Sequence, residues 1–279
     1  MTNIPNFMVC VFVERIVKIN TLFIIIEQLY LFLYFHLDRK MTRLSVNINK
    51  IATLRNSRGG DEPSVREAAI RCQEFGAEGI TVHPRPDERH IRYSDVREIR
   101  PLISTEFNIE GNPIPSFIDL VDEVVPDQVT LVPDAHDAIT SDAGWDTIAH
   151  KSFLSEVCKE FKSRGIRTSI FVWPDPVAVR GAAECGADRV ELYTAAYAAG
   201  YPSDPVSAVK PYVEAAKAAK ECGLGLNAGH DLSLVNLEWF IRSIPFTDEV
   251  SIGHALISDA LYLGMEKTIA AYLSKIRIF

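Results

Sequence analysis

From Leu44 onward, short apolar, β-rich runs alternate with longer stretches in which apolar residues recur every three or four positions. The short runs predict strands at Leu44–Asn49, Gly79–His83, Glu106–Glu110, Gln128–Val132, Arg167–Val172, Arg189–Tyr193, Gly225–Ala228 and Glu249–Ile252. Helical spacing fills gaps at Val65–Phe75, Phe153–Arg164, Val177–Cys185, Pro205–Cys222, Leu234–Arg242 and Ala255–Ser274. Repeated βα units of this kind predict an α/β fold, and eight of them suggest closure into a (β/α)8 or TIM barrel. An open doubly wound sheet is the alternative, but no Gly-rich dinucleotide fingerprint follows the first strand. A glycine ends each of four helical patterns, at Gly76, Gly165, Gly186 and Gly223, where it would cap the helix and turn the chain into the next strand.

Residues 1–40 break this pattern. Their apolar run, Thr21 to Phe35, is interrupted by Glu27 and Gln28 and is shorter than the ~20 residues that a membrane-spanning helix needs. No small-residue cleavage site follows it in Tyr34-Phe35-His36-Leu37-Asp38, so it does not read as a secretory signal. We expect 1–40 to be an atypical extension, with Met41 as the functional start and 41–279 as a single catalytic barrel domain. An interfacial helix tethering the enzyme to a membrane or partner is the other reading.

Charge follows the same boundary. Arg15, Lys18, Arg39 and Lys40 against Glu14, Glu27 and Asp38 leave the first 40 residues at +1, and the remainder carries -9 of the overall -8. That acidic balance argues against a nucleic-acid partner, so any anionic ligand must be met by local positive sites. The five cysteines, Cys10, Cys72, Cys158, Cys185 and Cys222, have neither disulfide nor zinc spacing, which fits a reducing cytoplasm.

In a barrel the active site lies where strands end, and the predicted strand ends are unusually polar. They supply Asn47 and Asn49, His83, Glu110 and Glu191, and lead to His230 and His254. Three histidines and two glutamates aimed at one cavity imply acid–base catalysis. The turns Asn227-Ala228-Gly229-His230 and Ile252-Gly253-His254-Ala255 would expose backbone N–H groups suited to phosphate. The first connection, with Arg55 and Arg58, reads as a flexible lid, and Arg58, Arg85 and His90 are candidate phosphate partners.

Taken in order, Val46-Asn47-Ile48, Ile51-Ala52-Thr53-Leu54-Arg55-Asn56, Gly79-Ile80-Thr81-Val82-His83-Pro84-Arg85, Asn108-Ile109-Glu110, Leu131-Val132-Pro133, Asn227-Ala228-Gly229-His230 and Ile252-Gly253-His254-Ala255 resemble the pyridoxine 5'-phosphate synthase family over 41–279. The resemblance implies a cofactor-free, metal-free transferase of the cytoplasm, with helices added to the barrel and an octamer built as a tetramer of dimers. Its expected reaction condenses 1-deoxy-D-xylulose 5-phosphate with 3-amino-2-oxopropyl phosphate to pyridoxine 5'-phosphate, phosphate and water. It further implies His83 and Glu110 as proton acceptors, His230 as proton donor and Glu191 as stabiliser of a charged intermediate. Asn47, Asn49, Lys50, Arg58, Arg85, His90 and Thr140 would contact the deoxyxylulose phosphate; Asp231, Gly253 and His254 would contact the aminooxopropyl phosphate. Some members have Asp-His in place of Asn49-Lys50 and Gly in place of Asp231. We therefore expect Lys50 to supply charge to a phosphate and Asp231 to contribute its backbone N–H only.

Three alternatives compete with this reading. One is another phosphosugar lyase or aldolase on the same barrel. A second uses His83, Glu110, His230 and His254 as metal ligands for hydrolysis or aldol cleavage. The third is an inactive barrel serving as a binding protein.

Overall fold

Strands covered by helices outside and packed side chains inside have no solvent face: β2 (Gly79–Val82), β4 (Gln128–Leu131) and β8 (Glu249–Ile252) are buried throughout, the polar Thr81, Gln128, Thr130, Glu249 and Ser251 included. With β1 (Arg43–Asn47), β3 (Glu106–Gly111), β5 (Arg167–Val172), β6 (Arg189–Tyr193) and β7 (Gly225–Gly229) they form a closed, all-parallel barrel in sequence order. Closure is made by β8 against β1, from Arg43↔Glu249 to Val46↔Ile252. The computed structural model describes residues 41–134 and 143–278. The expectations placed on 1–40 and on Thr140 lie outside the described residues.

The helix-to-strand glycines are as predicted. At Gly76 (φ +100) the amide of Ala77 donates to Cys72 O and that of Gly76 to Gln73 O, the paired bonds of a Schellman cap. Gly165, Gly186 and Gly223 repeat this pairing, also at positive φ. The long helix Pro205–Glu221 begins where the Asp204 carboxylate accepts the amides of Val206 and Ser207, and it buries Val209, Tyr212, Ala215, Ala216 and Ala219 at helical spacing.

Several boundaries differ from the sequence reading. Strand one stops at Asn47, and Asn49 opens a helix, Asn49–Asn56, where a flexible lid was expected. That helix is tied down by Arg55. Its guanidinium is buried, pairs with both Asp95 oxygens at 2.6 and 2.9 Å and donates to His90 O, so Arg55 is structural. The stretch predicted as Ala255–Ser274 is two helices, His254–Leu263 and Met265–Ile276, broken at Gly264 (φ +81). A short helix, Ala195–Gly200, follows β6, and Leu234–Arg242 becomes helical only at Leu237. Helices Tyr93–Ile99 and Pro115–Val124 complete the outer layer.

At the N-terminal end of the barrel, charges from five strands meet. Arg43 lies 2.6 Å from Glu106 and 3.4 Å from Glu249, Arg167 also pairs with Glu106, and Arg189 approaches Glu249 at 4.0 Å. The two carboxyl groups share a hydrogen bond. Burial, with the neighbouring Glu106 charge, pushes Glu249 up to about 8. Burial would raise Glu106 too, but the Glu249 hydrogen bond and the Arg167 and Arg43 guanidiniums hold it below its usual range. Because the folded pKa of Glu249 exceeds its unfolded value, its stabilising share is full below the ordinary carboxylate range and is lost as pH rises toward about 8. Glu249→Gln preserves the neutral shape. Its melting temperature relative to wild type is expected to improve steadily from the ordinary carboxylate range up to about pH 8 and to level off above it, and a flat difference below pH 8 would refute the assignment.

Candidate active site

The opposite, C-terminal end of the barrel opens into a cavity of about 580 Å³. Strand ends and the turns behind them bring together Asn47, Asn49, Lys50, His83, Arg85, His90, Glu110, Glu191, His230, Asp231, Gly253 and His254, twelve of the fourteen residues singled out from sequence. Arg58 is not among them; it is exposed beyond the end of the helix Asn49–Asn56. Thr140 lies outside the described residues.

The two asparagines build the wall. Asn47 Oδ1 accepts the amide of Asn49 at 3.1 Å, its Nδ2 donates to Glu110 Oε2 at 3.3 Å, and Asn49 Oδ1 accepts the amide of His83 at 2.9 Å. His83 is thereby set at the centre, with Nδ1 3.8 Å from Glu110 Oε2 and Nε2 3.7 Å from Asp134 Oδ2. Arg85 donates to the same Asp134 oxygen at 2.5 Å. His90 Nδ1 accepts the amide of Ile91 at 2.9 Å, which leaves the ring proton on Nε2.

Electrostatics separates these groups. Burial lowers His83 well below the ordinary histidine value, and Arg85 and His90 add to the effect. Burial, aided by Arg85 and Lys50, pulls His90 down to about 4. Both rings are neutral bases near pH 7. Burial pushes Glu110 up to about 7, with Asp134 contributing and His230 opposing. Glu191 is raised well above the carboxylate range by burial and by Glu110 and Glu249. Its place depends on Gly229, where a Cβ would sit 2.4 Å from Glu191 Oε1.

His230 follows with φ +84, a left-handed conformation uncommon for a side-chain-bearing residue, and its ring meets Tyr193 edge-on at 5.2 Å. Gly253 precedes the helix His254–Leu263, whose first amides lack a side-chain cap, and a Cβ there would press on Asn47 at 3.1 Å. The expectation for Asp231 is reversed. Its N–H donates to Thr194 Oγ1 at 3.1 Å, while its carboxylate turns to His230 Nδ1 at 2.7 Å, where the imidazole offers it a hydrogen-bond partner.

Residues that the sequence reading missed also line the cavity: Thr53, Arg89, Thr130, Val132, Phe171 and Ser251. Register carried a signal for some of them. Thr130 pairs with Glu110 across β3 and β4, and Phe171 pairs with Glu191 across β5 and β6. Among the described residues no three His, Cys, Asp or Glu side chains converge as a metal-ligand set, so the metal-dependent alternative lacks its geometry.

A closed parallel barrel that gathers buried acids and bases at the carboxyl ends of its strands is the arrangement of a (β/α)8-barrel enzyme. Solved barrels show the fold alone: phosphoribosyl anthranilate isomerase from Thermotoga maritima (TM-score 0.53, 14% identity, 86% of this chain and 100% of that one) and thiamine phosphate pyrophosphorylase from Pyrococcus furiosus (0.55, 15%, 87% and 98%). The chain belongs to the family described as pyridoxal phosphate biosynthesis protein PdxJ, whose model matches residues 44–278. Its relatives include the pyridoxine 5'-phosphate synthases of Christiangramia forsetii, 65% identical, and Bacteroides thetaiotaomicron, 66% identical; each match spans 237 residues, 85% of this chain and 100% of the relative.

Proposed function

We propose that this chain is a pyridoxine 5'-phosphate synthase, condensing 1-deoxy-D-xylulose 5-phosphate with 3-amino-2-oxopropyl phosphate to pyridoxine 5'-phosphate, phosphate and water. Family membership and the names of the relatives support the reaction. Within the site, the observation that carries it is the pair of buried His83 and partly buried Glu110, a neutral base 3.8 Å from a carboxyl group poised near neutrality.

The amine of one substrate condenses with the ketone of the other and releases water, so the enzyme needs no lysine nucleophile and must move protons and hold phosphates. His83 and Glu110 accept protons and His230 donates one. Burial and the neighbouring carboxyl groups favour the protonated form of Glu191, whereas a cationic imine beside it favours the carboxylate, which then stabilises that charge. The uncapped amides after Gly253, with His254, suit the phosphate of the aminooxopropyl substrate. Lys50, Arg85 and the Nε2–H of His90 suit the other, with the phosphate competing with Asp134 for Arg85. Arg58 would have to fold inward from its exposed position to join them, and Thr140 is assigned by the resemblance. Holding both carbonyl carbons in contact can remove up to roughly 7–11 kcal/mol of barrier in ideal cases.

The working unit we assign is 41–279, assembled as an octamer in the cytoplasm and acting without nucleic acid or membrane. No described helix is long and apolar enough to cross a membrane. The purified full chain, mixed with both substrates and no added metal, is expected to form pyridoxine 5'-phosphate and phosphate, and His83→Ala is expected to form neither. Absence of product from a folded preparation would overturn the assignment.

A further inference from the structure

Asp231 stands where the resemblance leads one to expect glycine, beside an anion-binding pocket, where a free carboxylate would be a liability. The structure gives it a different job. Its backbone is fixed on both sides: the N–H donates to Thr194 Oγ1 at 3.1 Å, and the C=O accepts from Asn236 Nδ2 at 3.2 Å. Thr194 is itself anchored to Gly229 O, and Asn236 Oδ1 accepts the amide of Ser233 at 2.8 Å. Only the side-chain torsions of Asp231 remain free, and they aim Oδ2 at His230 Nδ1, 2.7 Å away. The φ of +84 at His230 and the Tyr193 ring, 87° from the imidazole plane, fix the histidine from the other side.

We infer that Asp231 is a positioning residue that holds His230 in its Nδ1–H form and so dedicates Nε2 to the reacting molecule; this rests on the acid–base reading of the site. A carboxylate accepts only, so the nitrogen facing it must carry a proton in both charge states of the ring. Charged, His230 donates from Nε2. The Nε2 proton passes to a leaving oxygen, the N–H bonding pair stays on nitrogen, and the neutral ring keeps Nδ1–H on Asp231. No ring flip or tautomer exchange intervenes between donation and reloading. With glycine at this position, Nδ1 would be set by solvent or by substrate.

Two readouts test this in the full chain. The nitrogen-15 spectrum of the ring, assigned with His230→Asn, is expected to show neutral His230 as the Nδ1–H tautomer in wild type, shifting toward Nε2–H in Asp231→Ala and Asp231→Gly. Neutral His230 found as Nε2–H in wild type would overturn the inference, and that measurement requires neither substrates nor a folded Asp231 variant. In turnover, both variants are expected to lose about tenfold or more in kcat with KM for each phosphate substrate little changed. A raised KM for one substrate at unchanged kcat would instead make Asp231 a substrate contact. If wild type makes no product, the proposed reaction fails while the tautomer still decides the role of Asp231.

Discussion

Replacing Glu110 with glutamine is expected to lower kcat/KM by about 10²–10⁴-fold, the range lost when a positioned proton acceptor is removed. Glutamine can still face Asn47 and Ser251, which now contact the two Glu110 oxygens at 3.3 and 3.4 Å, so the loss would report chemistry rather than collapse. The pH profile sharpens the test. Glu110 accepts a proton only when ionised, and burial places its pKa at about 7. Wild-type kcat/KM is therefore expected to fall as pH drops below about 7. His83 cannot supply this limb, since burial keeps it neutral to well below the ordinary histidine value. Asp134 raises Glu110 by its charge and occupies Arg85. Asp134→Asn removes the first effect and frees the guanidinium, and both changes favour the Glu110 carboxylate, so the limb should move to lower pH. A limb that stays in place would assign it to another group.

Gly229→Ala is expected to be the most damaging single methyl addition to the cavity floor. The new Cβ would lie 2.4 Å from Glu191 Oε1 and 2.9 Å from the backbone oxygen of Ser251. Ser251 belongs to β8 and cannot retreat without disturbing the barrel, and Glu191 is buried and can yield only by turning toward the cavity. Overpacking of this kind costs about 1–3 kcal/mol, to be read as a lowered denaturation midpoint. Displacing Glu191 by about 1 Å should cost on the order of a further hundredfold in kcat. An alanine variant with wild-type stability and turnover would show that Glu191 is not held where it acts.

The barrel was legible because its signals are local. Eight short β-rich runs, most of them bounded by glycine or proline, alternate with helical spacing, and the Gly76, Gly165, Gly186 and Gly223 caps follow from three or four residues of context. The residues at strand ends were legible for the same reason, since a polar side chain closing an apolar run must face the cavity mouth. What the sequence could not show is partnership across the chain. Arg55 looks like a loop arginine in Leu54-Arg55-Asn56-Ser57-Arg58, and only contact with Asp95 makes it a buried anchor. The helix Asn49–Asn56 has few apolar residues and no side-chain cap, so its order comes from that contact rather than from propensity. The same limit hid the Asp231 carboxylate, which reaches His230 from a backbone held by Thr194 and Asn236. Thr130 and Ser251 went unnoticed because a lone hydroxyl within an apolar strand says little until its register with Glu110 and Gly229 is known.

The charges at the base of the barrel bear on how the chain folds. Arg43 comes from β1, Glu106 from β3, Arg167 from β5, Arg189 from β6 and Glu249 from β8. A half-barrel ending after β4 would hold Arg43 and Glu106 without Arg167 or Glu249, and the other half would bury Arg189 and Glu249 without Arg43. Each piece would keep one pair of its own, Arg43 with Glu106 and Arg189 with Glu249, but only the two together complete the Arg167–Glu106 and Arg43–Glu249 contacts. Separately expressed halves should therefore be poorly ordered alone and recover native structure on mixing. The network thus couples closure of the last strand on the first to β3, β5 and β6 between them.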